Sequence, residues 1–154
     1  NLQDQNIQFI MCGSGAALDR LKTLAEGLDN ILWLPLQPFE RLNEFLNLAD
    51  IHLLPQQAGA ADLVMPSKLT GILSSGRPVV ATAQQGTQVA CVVEGKGTVV
   101  DPADTEAFTQ AIEALSNNPE LRIELGLKAR GYAENNLEYS AIMRNFDNEL
   151  EKLI

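Results

Sequence analysis

The sequence is poor in the residues from which most metal and nucleophilic sites are built. It has one histidine, His52, and two cysteines, Cys12 and Cys91, which lie far apart and form no CxxC pair. A Cys/His zinc site is thereby excluded, and two isolated thiols fit a reducing, cytoplasmic compartment. Bases are few: 11 Lys and Arg stand against 20 Asp and Glu, a formal charge of −9. A chain that wraps phosphates in Lys and Arg has the opposite balance, so nucleic acid is not an expected partner. No apolar run approaches the about 18 residues of a membrane span, and no basic start followed by an apolar stretch is present. Ser-His-Asp chemistry has no G-x-S-x-G to seat its nucleophile. What is present is 154 residues at 45% hydrophobic, enough for one domain with a filled core.

Short apolar runs punctuated by Gly and Pro alternate with helical periodicity. Ile7–Cys12 closes on Gly13-Ser14-Gly15, Ile31–Leu34 on Pro35, and Ile51–Leu54 on Pro55; Pro78–Thr82 and Gly97–Val100 follow. Between them Leu18, Leu21, Leu24 and Ala25, then Leu42, Phe45, Leu46 and Ala49, recur at helical spacing. Residues 56–65 read as a loop. Pro66 suits a first helical turn, in a helix to about Ser75 that Gly76 closes. Helices are expected over Asp104–Ser116, Pro119–Asn135 and Tyr139 to the end, with Asp104 and Asn118 as N-caps. Strands of four to six residues alternating with helices predict parallel βαβ units. The fold expected is α/β: a Rossmann-like parallel sheet of about five to six strands flanked by helices, with a helical C-terminal tail. The tail mixes charges of both signs and reads as a solvated cover.

Ligands of such sheets bind beyond the carboxyl ends of the strands, which directs attention to residues 12–15, 35–38, 55–68 and 82–88. Gly13-Ser14-Gly15 is either a glycine turn whose amides meet a phosphate or a plain strand-to-helix turn, since Leu18 stands where G-x-G-x-x-G has its third glycine. Met65-Pro66-Ser67-Lys68-Leu69-Thr70 opens a helix after a loop of small residues. Free first-turn amides, the helix dipole, the Ser67 hydroxyl and the Lys68 charge converge there on an anion; the other reading is an amphipathic helix with a solvated lysine. His52 has no carboxylate or nucleophile to work with and reads as packed on its strand. Asp62 either accepts a ligand hydroxyl or is a solvated loop acid.

In order, these pieces resemble the C-terminal, donor-binding domain of GT-B glycosyltransferases, the family 4 (group 1) type in particular. Ile7–Gly15 is similar to the family's strand and Gly-x-Gly turn. Asn30–Gln37 is similar to its "N-apolar-x-apolar-x-G" strand, with Pro35 in the glycine place. Ala49-Asp50-Ile51-His52-Leu53-Leu54-Pro55 resembles "A-D-x-x-apolar-x-P". Pro66-Ser67-Lys68-Leu69 followed by Gly76-Arg77-Pro78-Val79-Val80-Ala81 resembles "P-S-K-L … G-[KR]-P-V-[VI]-A". Gly97–Pro102 with Asp104 resembles "G-x-apolar-V-x-P-x-D", so the likeness covers about residues 7–150. The Pro-Ser-Lys variant looks most like enzymes of bacterial exopolysaccharide or lipid-linked oligosaccharide assembly.

The resemblance implies transfer of a sugar from a nucleoside diphosphate-sugar to an acceptor such as a lipid-linked or polysaccharide glycan, with retention and without a bound metal. It places the donor diphosphate at the amides of Ser67, Lys68 and Leu69. It places the nucleoside near Leu36, Gln37 and Leu42, with Thr70 and Gly71, and further phosphate or sugar contacts at Gly13, Gly15 and Asp62. Two family glutamates, the second of which holds the ribose, fall on Leu63 and Gly71 here; Asp62, Thr70 or Ser74 are the groups at hand to replace them. The resemblance also implies an N-terminal acceptor-binding domain ahead of residue 1 that carries the catalytic histidine. The chain is then expected to be one donor-binding domain, inactive alone, and the full-length enzyme to attach peripherally at the inner face of the membrane. The competing readings are a non-catalytic Rossmann-like nucleotide or anion module, a hexosamine-nucleotide epimerase of similar architecture, and a purely structural domain.

Overall fold

The structure, a computed structural model, describes Leu2, residues 6–57 and residues 65–152. The chain divides into two compact units, Asn1–Phe45 and Leu46–Ile154.

In the first unit β1 (Phe9–Cys12) and β2 (Ile31–Leu34) pair in parallel, Phe9 opposite Ile31 and Cys12 opposite Leu34. Between them lies α1 (Leu18–Leu24), and a 3-10 turn, Phe39–Arg41, leads into α2 (Leu42–Leu48), within which the division of the chain falls. Gly13 extends the ladder by donating its N–H to the Leu34 carbonyl at 3.2 Å, and its φ of +139° is one that L side chains rarely adopt. None of the described residues of this unit is buried outright. The expectation of strands covered on both faces therefore fails for β1 and β2: Met11 and Leu32 stand exposed, because a two-stranded pair beside one seven-residue helix has too little to cover it.

The second unit holds the core. β3 (His52–Leu54), β4 (Val79–Thr82) and β5 (Gly97–Val100) form a parallel sheet in the order β3-β4-β5, His52 opposite Val79 and Val79 opposite Gly97. Central β4 is buried along its whole length, as a covered parallel strand requires. Gly97 is there of necessity: a Cβ would lie 2.0 Å from the Val79 carbonyl oxygen. The helices are α3 (Ser67–Ser74), α4 (Gln88–Val93), α5 (Thr105–Ser116), α6 (Pro119–Asn136) and α7 (Tyr139–Glu151). Asp104 and Asn118 cap α5 and α6 as the sequence predicts, accepting from the N–H groups of Ala107 at 2.8 Å and Leu121 at 2.9 Å.

Three differences from the sequence-based expectation have physical causes. Helix α4 is additional: its apolar residues are mostly valines, which favour strands, and the Thr87 hydroxyl sets it as helix by accepting from the Ala90 N–H at 3.3 Å. Helix α6 is more than a solvated cover, because its small residues Gly126, Ala129 and Ala133 let it approach closely, and Ala129 and Ala133 join the core cluster. Helix α7 carries a row of exposed apolar side chains, Tyr139, Ile142, Met143, Phe146 and Leu150, beside its charges.

Candidate functional site

Helix α3 buries Leu69, Ile72 and Leu73. Each such side chain contributes roughly 1.5–3 kcal/mol on burial, so the helix is fixed by one face while Ser67 and Lys68 remain exposed. Its direction follows from its far end. Ser75 Oγ lies 3.3 Å from His52 Nε2, at the amino end of β3. Helix α3 thus runs against the strands, and its N-terminus faces the side on which β3 and β4 end.

Helices α4, α5 and α6 begin with a side-chain cap, whereas α1, α3 and α7 do not. Helix α3 begins at Pro66, with no side-chain cap and no acid in its first turn. The Leu69 N–H donates back to the Pro66 carbonyl at 2.9 Å, and the Leu69 side chain is fully buried. Ser67 and Lys68 have no acceptor for their backbone N–H groups among the described residues, and Lys68 has no carboxylate within ion-pair distance among them. The Thr70 hydroxyl donates to the Ser67 carbonyl at 2.7 Å, which leaves its lone pairs as acceptors. Gly71 sits inside the helix, where a Cβ would come within 3.2 Å of Leu46 Cδ1. The end of α3 is open, positively polarised and flanked by a hydroxyl and an ammonium group.

The other predicted positions lie elsewhere. In the Asn1–Phe45 unit Leu36 is 73% exposed and Leu42 is 41% exposed. Gln37 Nε2 donates to the Pro35 carbonyl at 2.8 Å, and the Cys12 thiol donates to the same oxygen at 3.2 Å. Phe39 is 83% exposed between Leu36 and Leu42 along the chain. Gly13 and Gly15 have open space where a Cβ would stand. Helix α1 begins at Leu18, not directly at the glycines. Asp62, like Leu63, lies outside the described residues.

His52 is packed on its strand, as the sequence predicts. It is half-buried, with Nε2 3.0 Å from the Leu46 carbonyl. Burial holds its pKa below the usual histidine value; the Leu46 carbonyl pulls it up, and the Arg77 charge pushes it down. At the carboxyl end of the sheet Thr82 Oγ1 accepts from the Gln56 N–H at 2.5 Å and donates to the Gln56 carbonyl at 2.8 Å. Among the described residues there is no group of three or more His, Cys, Asp or Glu placed to hold a metal ion, and no helix is long and apolar enough to cross a membrane.

Known proteins are similar to this chain in sequence and in fold. The profile of the family described as "Glycosyl transferases group 1" matches residues 1–132. The chain is 35% identical over 154 residues to the putative colanic acid biosynthesis glycosyl transferase WcaI of Escherichia coli, covering 97% of this chain and 37% of that protein. Among solved structures, sucrose-phosphate synthase from Thermosynechococcus elongatus superposes with a TM-score of 0.76 at 22% identity, over 95% of this chain and 38% of that one. HepE of Anabaena in complex with UDP-glucose superposes with a TM-score of 0.75 at 16% identity, over 96% of this chain and 42% of that one. The chain thus spans about two fifths of the length of these three proteins.

Proposed function

The chain belongs to the glycosyl transferases group 1 family, and on that premise we propose that it is the part of a sugar transferase that binds the nucleoside diphosphate-sugar donor, with the diphosphate on the opening turn of α3. The observation that carries this reading is that turn itself: exposed, without cap or acid, bearing Ser67 and Lys68, and directed to the side on which β3 and β4 end. The Ser67 and Lys68 amides and the Lys68 ammonium meet the phosphates. Leu69, its N–H already engaged, serves as the anchor that aims them. Fixed N–H groups and a cation stabilise a leaving diphosphate as it gains charge, and they do so without a divalent ion. Thr70 offers an acceptor for a donor hydroxyl. Gly71, with Leu46 Cδ1 at 3.2 Å from where a Cβ would stand, has its backbone alone to offer the donor. In the Asn1–Phe45 unit Leu36, Gln37 and Leu42 are the positions proposed for the nucleoside. Gly13 and Gly15, and Asp62, are further contacts for phosphate or sugar.

The whole protein, in this reading, retains anomeric configuration and delivers sugar to a lipid-linked or polysaccharide glycan, at the inner face of a bacterial membrane. The name of the WcaI relative, a colanic acid biosynthesis transferase, supports a polysaccharide acceptor. Transfer itself requires an acceptor-binding half and its catalytic histidine, which the 154 residues do not include. The chain alone binds donor and does not turn it over.

Titration calorimetry with UDP, GDP and ADP tests the core of the reading. One of the three binds, and Lys68→Ala weakens it about tenfold, the size of one lost charge-assisted contact. If none binds up to millimolar concentration, α3 is not a diphosphate cradle.

A further inference from the structure

Helix α7 has two unlike sides. Ala141 is fully buried, and one turn on, Asn145 Nδ2 donates to the Asn135 carbonyl of α6 at 3.4 Å, so these two residues mark the side turned to α6. The opposite side carries Tyr139, Ile142, Met143, Phe146 and Leu150 at helical spacing, between 41% and 77% exposed. A contiguous apolar stripe facing away from the body of a folded chain marks an interaction surface.

The borders of the stripe say what covers it. Glu138, Asp147, Glu149 and Glu151 outnumber Arg144 and Lys152, an acidic excess that an anionic bilayer repels. By helical spacing Arg144 and Asp147 share one flank of the stripe, and Glu138 and Lys152 share the other. Among the described residues Arg144, Asp147 and Glu138 form no ion pair. Lys152 bonds Glu149 of its own helix at 2.5 Å and has further donors to offer. The pattern complements itself when reversed. In two antiparallel copies of α7, Met143 set opposite Phe146 of the second copy brings Tyr139 opposite Leu150. The same register brings Arg144 within a turn of Asp147, and Glu138 within a turn of Lys152, and each flank meets its own counterpart. A two-fold axis makes every one of these contacts twice.

We propose that α7 is a self-association surface, on which two copies of this chain pair antiparallel through the Tyr139–Leu150 stripe, with Arg144 of each copy facing Asp147 of the other. The stripe is roughly 17 Å long at 1.5 Å per residue. Two such helices bury less than the about 1,200 Å² at which stable interfaces begin, so the pair is reversible, with a Kd on the order of ten micromolar.

Sedimentation velocity from about 1 to about 200 µM in about 0.15 M salt reads this equilibrium. The unchanged chain is expected to pass from monomer to dimer over that range, and Phe146→Glu to stay monomeric throughout. Circular dichroism checks that the exposed substitutions leave the fold intact. Arg144→Glu and Asp147→Arg, each alone, turn two attractive contacts into repulsive ones and should weaken the dimer about tenfold. Mixed in equal amounts, the two variants restore opposite charges across the pair and should dimerise as the parent does. An unchanged chain that stays monomeric overturns the proposal, as does a dimer indifferent to Phe146→Glu, or a mixture no tighter than either charge variant alone. Co-sedimentation of the unchanged chain with phosphatidylglycerol vesicles, lost in Phe146→Glu, would assign the stripe to lipid and overturn it as well.

Discussion

His52 Nε2 faces the Leu46 carbonyl, which can only accept, so this nitrogen carries the ring proton. Burial and the Arg77 charge both disfavour the charged ring, and together they outweigh the Leu46 carbonyl. The pH consequence has a definite sign. The folded pKa lies below the unfolded one, so below about pH 6.5 the unfolded chain takes up the proton more readily than the native one. Stability conferred by neutral His52 is therefore complete above that pH and is lost as the pH falls towards the lowered native value. His52→Gln retains a donor for Leu46 and cannot titrate. Thermal midpoints measured from pH 7.5 down to about 5 should decline less steeply in His52→Gln than in the parent. Parallel curves would show that carboxylates alone cause the acid loss. Because His52 joins β3 to Ser75 at the end of α3, this is also a statement about what holds the helix in place.

At the scale of elements, α3 is held from behind by α6. Gly76 takes a φ of +67° to end the helix, and Gly126 of α6 sits so close that a Cβ would lie 2.2 Å from the Gly76 carbonyl oxygen. Beside it Arg130 Nη1 donates to the Ser74 carbonyl at 2.7 Å, satisfying an end of α3 that has no basic residue in its last turn. Gly126→Ala forces two backbones apart and should cost about 1–3 kcal/mol, as overpacking does. Denaturant unfolding measures it, and a midpoint equal to the parent's would mean that α6 is free to shift. The strands and most helix bounds of this arrangement were legible because Gly, Pro and cap residues mark them: Pro55, Pro66, Asp104 and Asn118 each stand within one or two residues of an observed boundary. What escaped was set by contacts between distant segments. Val89, Val92 and Val93 belong to α4 only because Thr87 caps it. The hydrogen bonds between Gln56 and Thr82 join residues far apart in sequence that the parallel register of β3 and β4 brings together. The helix-start chemistry behind the proposed anion site, Pro66 before Ser67 and Lys68, stands in the sequence itself, whereas the engagement of the Leu69 N–H by Pro66 is a matter of local geometry.

Over the whole molecule the proposed site faces an electrostatic conflict. The chain carries a formal charge of −9, and the proposed ligand is a polyanion. Attraction at α3 comes from amide dipoles and one ammonium group acting at contact distance, while repulsion is summed over acids spread across the surface. Salt separates the two by range. At about 0.1 M the screening length is about 10 Å, so distant acids are silenced while groups touching the phosphates are weakened far less. Nucleotide affinity should then stay level or rise as salt increases from about 20 to about 300 mM, unlike that of sites that draw phosphate through a broad basic field, whose affinity falls. Calorimetry across that range decides the matter. A loss of about tenfold or more would mean that the anion is drawn by clustered basic side chains, and α3, with Lys68 as the one base in its sequence, would not be where it binds.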